Sequence, residues 1–169
     1  MMHLITGGER SGKSRYAQQL AEQVCDRPTY LATAVRASDD EAFAQRIARH
    51  RQDRDARWTT VEEPWHLRRA LPEQGAVVID CVTLWLNNGL AQHQSDPEAT
   101  LAAAQREIDQ LGSVANALFI VTNELGMGLH ASTSVGRNFV ELQGWVNQYI
   151  AQRATRVTFM VAGLPMTVK

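Results

Sequence analysis

The run Gly7-Gly8-Glu9-Arg10-Ser11-Gly12-Lys13-Ser14 has the spacing G-x-x-x-x-G-K-[ST], and each position has a chemical reason. Glycines at 7, 8 and 12 let the backbone curl so that successive N–H groups point inward at phosphate oxygens. Lys13 supplies a point charge for β- and γ-phosphates, and the Ser14 hydroxyl is placed to sit on Mg²⁺. A following helix, Lys13 to Val24, adds the positive end of its dipole beneath the phosphates. His3-Leu4-Ile5-Thr6 reads as a short buried strand before the loop, and Ala17, Leu20, Ala21 and Val24 give helical spacing after it. This is the context a phosphate-binding loop requires, and it predicts a nucleoside triphosphate site.

Three further segments carry residues capable of chemistry. Val77-Val78-Ile79-Asp80 is a hydrophobic strand ending in a carboxylate; a buried strand that tolerates an acid usually aims it at a metal or its water, so Asp80 is expected to complete the Mg²⁺ site with Ser14. Five arginines lie between positions 46 and 57, with His50 among them. Such an electropositive surface favours phosphate and disfavours protonation of His50, which keeps its imidazole available as a nucleophile, and histidine can form covalent phosphoramidates. On spacing alone, a solvated arginine-rich helix with an incidental histidine accounts for the segment better. Thr122-Asn123-Glu124-Leu125-Gly126-Met127-Gly128 ends a strand in polar groups and glycines. Asn123 or Glu124 would serve to position water, metal or substrate, and a structural strand-end turn accounts for it as well. His3, His66, His93 and His130 have no zinc-like partner at i+3 or i+4. The tryptophans at 58, 65, 85 and 145 read mostly as core or interface.

The elements that must position these groups alternate as strand and helix, the pattern of a parallel sheet with crossover helices. Strands are predicted near 3–6, 29–33, 77–81, 117–122, 157–162 and 166–168, and helices near 13–24, 39–53, 64–70, 98–112 and 136–153. Ser95-Asp96-Pro97-Glu98 offers an N-cap followed by proline. Asn87-Asn88-Gly89 and Gly126-Met127-Gly128 read as turns at strand ends, and 91–97 and 128–136 as surface loops. Ligands bind open α/β sheets at the C-terminal ends of the strands, where the phosphate loop, Asp80 and Asn123 all fall.

At 169 residues the chain suits a single α/β domain spanning 1–169. A net charge of −1 gives no global field for nucleic acid or an anionic membrane. No apolar run reaches the ~20 residues of a membrane span, and the early phosphate loop leaves no room for a signal peptide. Two cysteines, Cys25 and Cys81, lack C-x-x-C spacing, which suits free thiols in a reducing cytoplasm; Cys81 reads as buried in a strand.

Taken together these segments resemble the bifunctional adenosylcobinamide kinase / adenosylcobinamide-phosphate guanylyltransferase family. The resemblance rests on Thr6 to Ser14, Tyr30-Leu31-Ala32-Thr33-Ala34, and Arg46-Ile47 followed by His50 and Arg54. It continues through Trp58, Thr60, Glu62, Asp80-Cys81-Val82-Thr83, Thr122 to Gly128, Asn138-Phe139, Asn147-Gln148 and Val161 to Pro165, nearly the whole chain. It implies a RecA-like P-loop NTPase sandwich with three layers, a mostly parallel sheet and an antiparallel C-terminal edge, assembled as a homotrimer. It also implies two reactions: phosphorylation of adenosylcobinamide by ATP or GTP, then transfer of GMP from GTP through a guanylyl-histidine to give adenosylcobinamide-GDP and pyrophosphate. The family's guanylylated histidine maps onto His50, which outweighs the incidental histidine that spacing alone favours. Its nucleotide contacts map onto Gly7 to Ser14, Thr33, Ala34, Val35, Arg51, Gln52, Asp53, Arg54, Glu62 and Asp80, with Lys13 acting on the phosphates. Two readings from other classes stay open on the residues alone: a small-molecule kinase with no covalent intermediate, and a nucleotide-gated regulatory module.

Overall fold

A computed structural model describes residues 1–34, 54–114 and 116–169. The helix expected at 39–53, with His50, lies outside them. In chain order the described elements are β1 (Met2–Gly7), α1 (Lys13–Val24), β2 (Thr29–Ala32), β3 (Thr59–Glu62), α2 (Leu67–Ala70), β4 (Ala76–Asp80), α3 (Val82–Gln92), α4 (Pro97–Leu111), β5 (Ala117–Val121), α5 (Ser134–Arg153), β6 (Arg156–Val161) and β7 (Leu164–Thr167). The strands form one sheet in the order β3-β2-β4-β5-β1-β6-β7. Neighbours pair in parallel except β6 and β7, which are antiparallel. This is the expected mostly parallel sandwich with an antiparallel C-terminal edge.

Alternate side chains along the central strands feed two cores, as the period of 2 requires. Leu4, Leu31, Val77, Ile79, Leu118 and Ile120 face one layer with Trp85, Leu86, Ile108 and Val146 of α3, α4 and α5. Ile5, Tyr30, Val78, Phe119 and Val121 face the other, against Ala17 and Ala21 of α1. Helices on both faces explain why β4 is apolar throughout rather than alternating. In α1 the inward face is Ala17, Gln18 and Ala21 behind Lys13; Val24, expected inside, is 58% exposed at the last turn.

Two elements depart from expectation. Asn87-Asn88-Gly89 is not a turn but the interior of α3. Tertiary contacts override its weak helix propensity. Asn88 Nδ2 donates to the Thr33 and Pro64 carbonyls at 2.7 and 3.0 Å, and a Cβ on Gly89 would lie 2.3 Å from the Trp65 ring. Trp65 in turn stacks on Trp85, ring centroids 5.0 Å apart, and Trp85 Nε1 donates to the Trp65 carbonyl. Strand β3 carries no alternating signal because it is a short edge strand with three exposed residues of four. Boundaries also shift: β4 stops at Asp80, so Cys81 caps α3 instead of ending a strand, α2 is a single turn, α5 begins at Ser134 within the loop expected at 128–136, and β7 begins at Leu164. No helix among the described residues is long and apolar enough to cross a membrane.

Candidate functional site

The phosphate loop leaves β1 at Gly7 and enters α1 at Lys13. Gly7 and Gly12 have φ of 151° and 93°, and a Cβ on Gly7 would meet the Met160 carbonyl at 2.5 Å. Glycine is therefore demanded by the backbone twist and by the close approach of β6, as well as by room for phosphate. The turn between β6 and β7 backs the loop: Gly163 N–H donates to the Ser11 carbonyl at 3.1 Å. That bond fixes the loop at the start of α1, where a helix N-terminus favours an anion.

Lys13 is only 7% exposed. Its Nζ donates to the Gly8 carbonyl and, at 3.5 Å, to Ser11 Oγ. Burial lowers the ammonium pKa, and the nearby Asp80 carboxylate pulls it back up. Lys13 and Asp80 thus feel one another's charge although Lys13 Nζ bonds within its own loop. The register explains why. β5 lies between β1 and β4, and Val121 pairs with both Ile5 and Asp80, so Asp80 ends its strand at the sheet edge from which the phosphate loop springs.

Tyr30 Oη donates to Asp80 Oδ2 at 2.8 Å. Burial first, then the Asp80 charge, raises the phenol pKa well above its ordinary value, so the hydroxyl remains a donor. Ser14 lies in the first turn of α1 and is half-buried. Among the described residues no three His, Cys, Asp or Glu side chains form a metal cage. Mg²⁺ needs no such cage, since one carboxylate, a hydroxyl, phosphate oxygens and water complete its shell. The Asp80 carboxylate, with one oxygen taken by Tyr30, and the Ser14 hydroxyl are donors of the type this ion takes.

The other expected contacts fall into three groups. Thr33 is fully buried; its hydroxyl donates to the Cys81 carbonyl and accepts from Cys81 N–H, each at 2.8 Å, so it braces the β4–α3 junction that carries Asp80. Glu62 ends β3, level with Ala32 and Asp80 across three strands. Ala34 follows β2 and is half-buried, and the Arg54 guanidinium stacks 3.7 Å from the centroid of the Tyr30 ring. Val35, His50, Arg51, Gln52 and Asp53 lie outside the described residues. Glu9 and Arg10 sit exposed at the loop tip. The Cys81 thiol is pushed up to about 11, chiefly by burial, and so is a poor nucleophile.

Asn123 and Glu124 do reach this edge. Glu124 N–H donates to the Gly7 carbonyl at 3.0 Å, and its own Oε1 accepts from Gly126 N–H. Asn123 Nδ2 donates to Thr83 Oγ1 at 2.9 Å. Gln143, buried in α5, donates to Thr83 Oγ1, Thr122 Oγ1 and the Asn123 carbonyl, and Asn147 accepts from Thr122. Sequence reasoning singles out neither Thr83 nor Gln143 as a site residue. The only available signal is a glutamine on the apolar face of a helix, beside Leu142 and Val146.

A cavity of about 360 Å³ lies elsewhere, at the N-terminal ends of β1 and β6, lined by His3, Phe119 and Arg156 among others. His3 there is buried against Thr158 Oγ1 at 2.8 Å, and burial, then Arg156, lowers its pKa to about 4.

Comparison with known proteins agrees with this geometry. The family described as cobinamide kinase / cobinamide phosphate guanyltransferase matches residues 3–168. The bifunctional adenosylcobalamin biosynthesis protein CobP of Pseudomonas aeruginosa is 41% identical over 173 residues, covering 100% of this chain and 98% of its own. The proteins of Salmonella typhimurium and Escherichia coli named bifunctional adenosylcobalamin biosynthesis protein CobU are each 35% identical with full coverage of both chains. A solved structure from Pyrococcus horikoshii OT3 shares the fold, with a TM-score of 0.52 at 9% identity, over 99% of this chain and 85% of that one.

Proposed function

The chain belongs to the cobinamide kinase / cobinamide phosphate guanyltransferase family, and from that premise we propose that a single nucleotide site, built on the phosphate loop, serves both reactions. The enzyme phosphorylates adenosylcobinamide with ATP or GTP and transfers GMP from GTP to the resulting phosphate, releasing pyrophosphate and forming adenosylcobinamide-GDP. The observation that carries this reading is the strand register that brings the phosphate loop and Asp80 to one sheet edge, within a chain that matches the family from end to end.

Both steps act on a triphosphate, at the γ-phosphorus for the kinase and at the α-phosphorus for guanylyl transfer. Phosphoryl transfer asks the protein mainly for positioning and charge stabilisation. The loop N–H groups and Lys13 Nζ bind the phosphate oxygens and hold developing charge away from water. Ser14 and Asp80 would hold Mg²⁺, which when bound neutralises triphosphate charge. In the second step His50 attacks the α-phosphorus of GTP through an imidazole nitrogen, the α–β bridging bond breaks, and pyrophosphate leaves with its electron pair. The cobinamide phosphate oxygen then displaces the histidine from the GMP phosphorus. Arg51, Gln52, Asp53, Arg54, Glu62, Ala34 and Val35 complete the nucleotide contacts in this reading, whereas Thr33, fully buried and bonded to Cys81, acts by holding the β4–α3 junction.

We take residues 1–169 as one domain and the assembly as a homotrimer. Exposed Leu164 and Met166 on edge strand β7 support self-association, and free thiols at Cys25 and Cys81 support a reducing cytoplasmic location. Incubation with adenosylcobinamide and GTP, followed by mass spectrometry, tests the function. The expected sequence is a phosphorylated species, then a GDP-linked product. Phosphorylation without GMP addition would reduce the protein to a simple kinase, and neither product would leave a nucleotide-gated module.

A further inference from the structure

One buried side chain joins two parts of the site that lie far apart in the chain. Tyr30 is 5% exposed, in the middle of the short strand β2. The β2–β4 register pairs Ala32 with Asp80 and Tyr30 with Val78. Tyr30 and Asp80 are therefore a diagonal pair on one face of the sheet, within reach of a long side chain, and the phenol uses that reach to donate to Asp80 Oδ2 at 2.8 Å. On its other side the same ring carries the Arg54 guanidinium at 3.7 Å from its centroid, with Trp58 packed edge-on at 6.4 Å. Phenylalanine would fill the core equally well. The hydroxyl is needed only for Asp80.

We propose that Tyr30 is a positioning residue of the nucleotide site: its hydroxyl pins one carboxylate oxygen of Asp80 so that the other is left for the metal, and its ring seats the Arg54 guanidinium. This rests on the reading of Asp80 as the acid that serves Mg²⁺. A carboxylate held by one charge-assisted hydrogen bond loses its freedom to rotate, so a bound cation meets a preset oxygen. Removing the hydroxyl frees the carboxylate and strands Oδ2 in a half-buried position. Removing the ring as well takes away the surface on which Arg54 stacks.

Binding, rather than turnover, gives the test. Calorimetry measures the affinity for α,β-methylene GTP in EDTA and across a Mg²⁺ titration, for the wild type, Tyr30→Phe, Tyr30→Leu and Asp80→Asn. Tyr30→Phe is expected to raise the Mg²⁺ concentration needed for half-maximal tightening about tenfold, with metal-free affinity and thermal midpoint near wild type. Tyr30→Leu is expected to show the same Mg²⁺ shift and, in addition, severalfold weaker metal-free binding as Arg54 loses its seat. A wild-type Mg²⁺ dependence in both Tyr30 variants, with Asp80→Asn strongly shifted, would overturn the proposal while leaving the reading of Asp80 intact. A wild-type Mg²⁺ dependence in Asp80→Asn would sink that reading and this proposal with it.

Discussion

Lys13 and His3 are two buried cations-in-waiting that the fold handles in opposite ways. Burial lowers the Lys13 pKa, but the Asp80 charge opposes that shift, and the Gly8 carbonyl and Ser11 hydroxyl accept from its Nζ. Among the described residues His3 has no ion pair with a carboxylate; it bonds to Thr158 and rests near Tyr16 and Phe119, and it stays neutral in the fold until about pH 4. The unfolded chain takes up that proton near the ordinary histidine value of 6.5. His3 thus contributes stability that is fully present above pH 6.5 and is lost as pH falls toward 4. Chemical denaturation at neutral pH and near pH 5 checks this. The non-titrating His3→Gln variant is expected to lose less stability on acidification than the wild type, and an equal loss would remove His3 as the cause. Residues of this kind show where sequence reasoning stops. The placement of Lys13 at the start of α1 is legible because it follows from local backbone spacing. The bond from His3 to Thr158 and the partnership of Tyr30 with Asp80, 50 positions apart, come from strand register, which no local pattern encodes.

Among the elements, the β4–α3 junction determines how well the acid is held. Thr33 braces it from β2, Asn88 ties α3 to the chain after β2 and after β3, and Gly89 admits the Trp65 ring against the helix. Adding a methyl at Gly89 forces the Trp65–Trp85 stack apart. Gly89→Ala is expected to destabilise the protein by about 1–3 kcal/mol in a urea melt, although alanine is the better helix former by about 1 kcal/mol; a gain in stability would contradict this packing. The same conflict between propensity and packing hides α3 in the sequence. Asn-Asn-Gly is turn chemistry in isolation, and only Trp65, more than twenty residues earlier, makes glycine a helix residue there. Strand β3 is silent for a different reason: three exposed residues on a sheet edge leave no hydrophobic period to read.

Across the molecule as a whole, strand order does the assembling. Placing β5 between β1 and β4 brings the phosphate loop, Asp80 and the Thr122-Asn123-Glu124 segment to one edge of the sheet, and the β6–β7 turn closes behind the loop at Ser11. The parallel α/β order is visible in the alternation of apolar strands with helical patterns, and so is the gathering of the polar motifs at the strand C-termini. If this one phosphate site also supports a covalent step on His50, the intermediate can be trapped. Protein incubated with Mg²⁺ and GTP labelled at the α-phosphate is denatured and searched for retained label. An acid-labile, alkali-stable adduct on His50 is expected, disappearing in His50→Ala while the fold and the phosphorylation of adenosylcobinamide persist. Label retained in His50→Ala, or absent from wild-type protein that still forms adenosylcobinamide-GDP, would rule out the covalent step on His50.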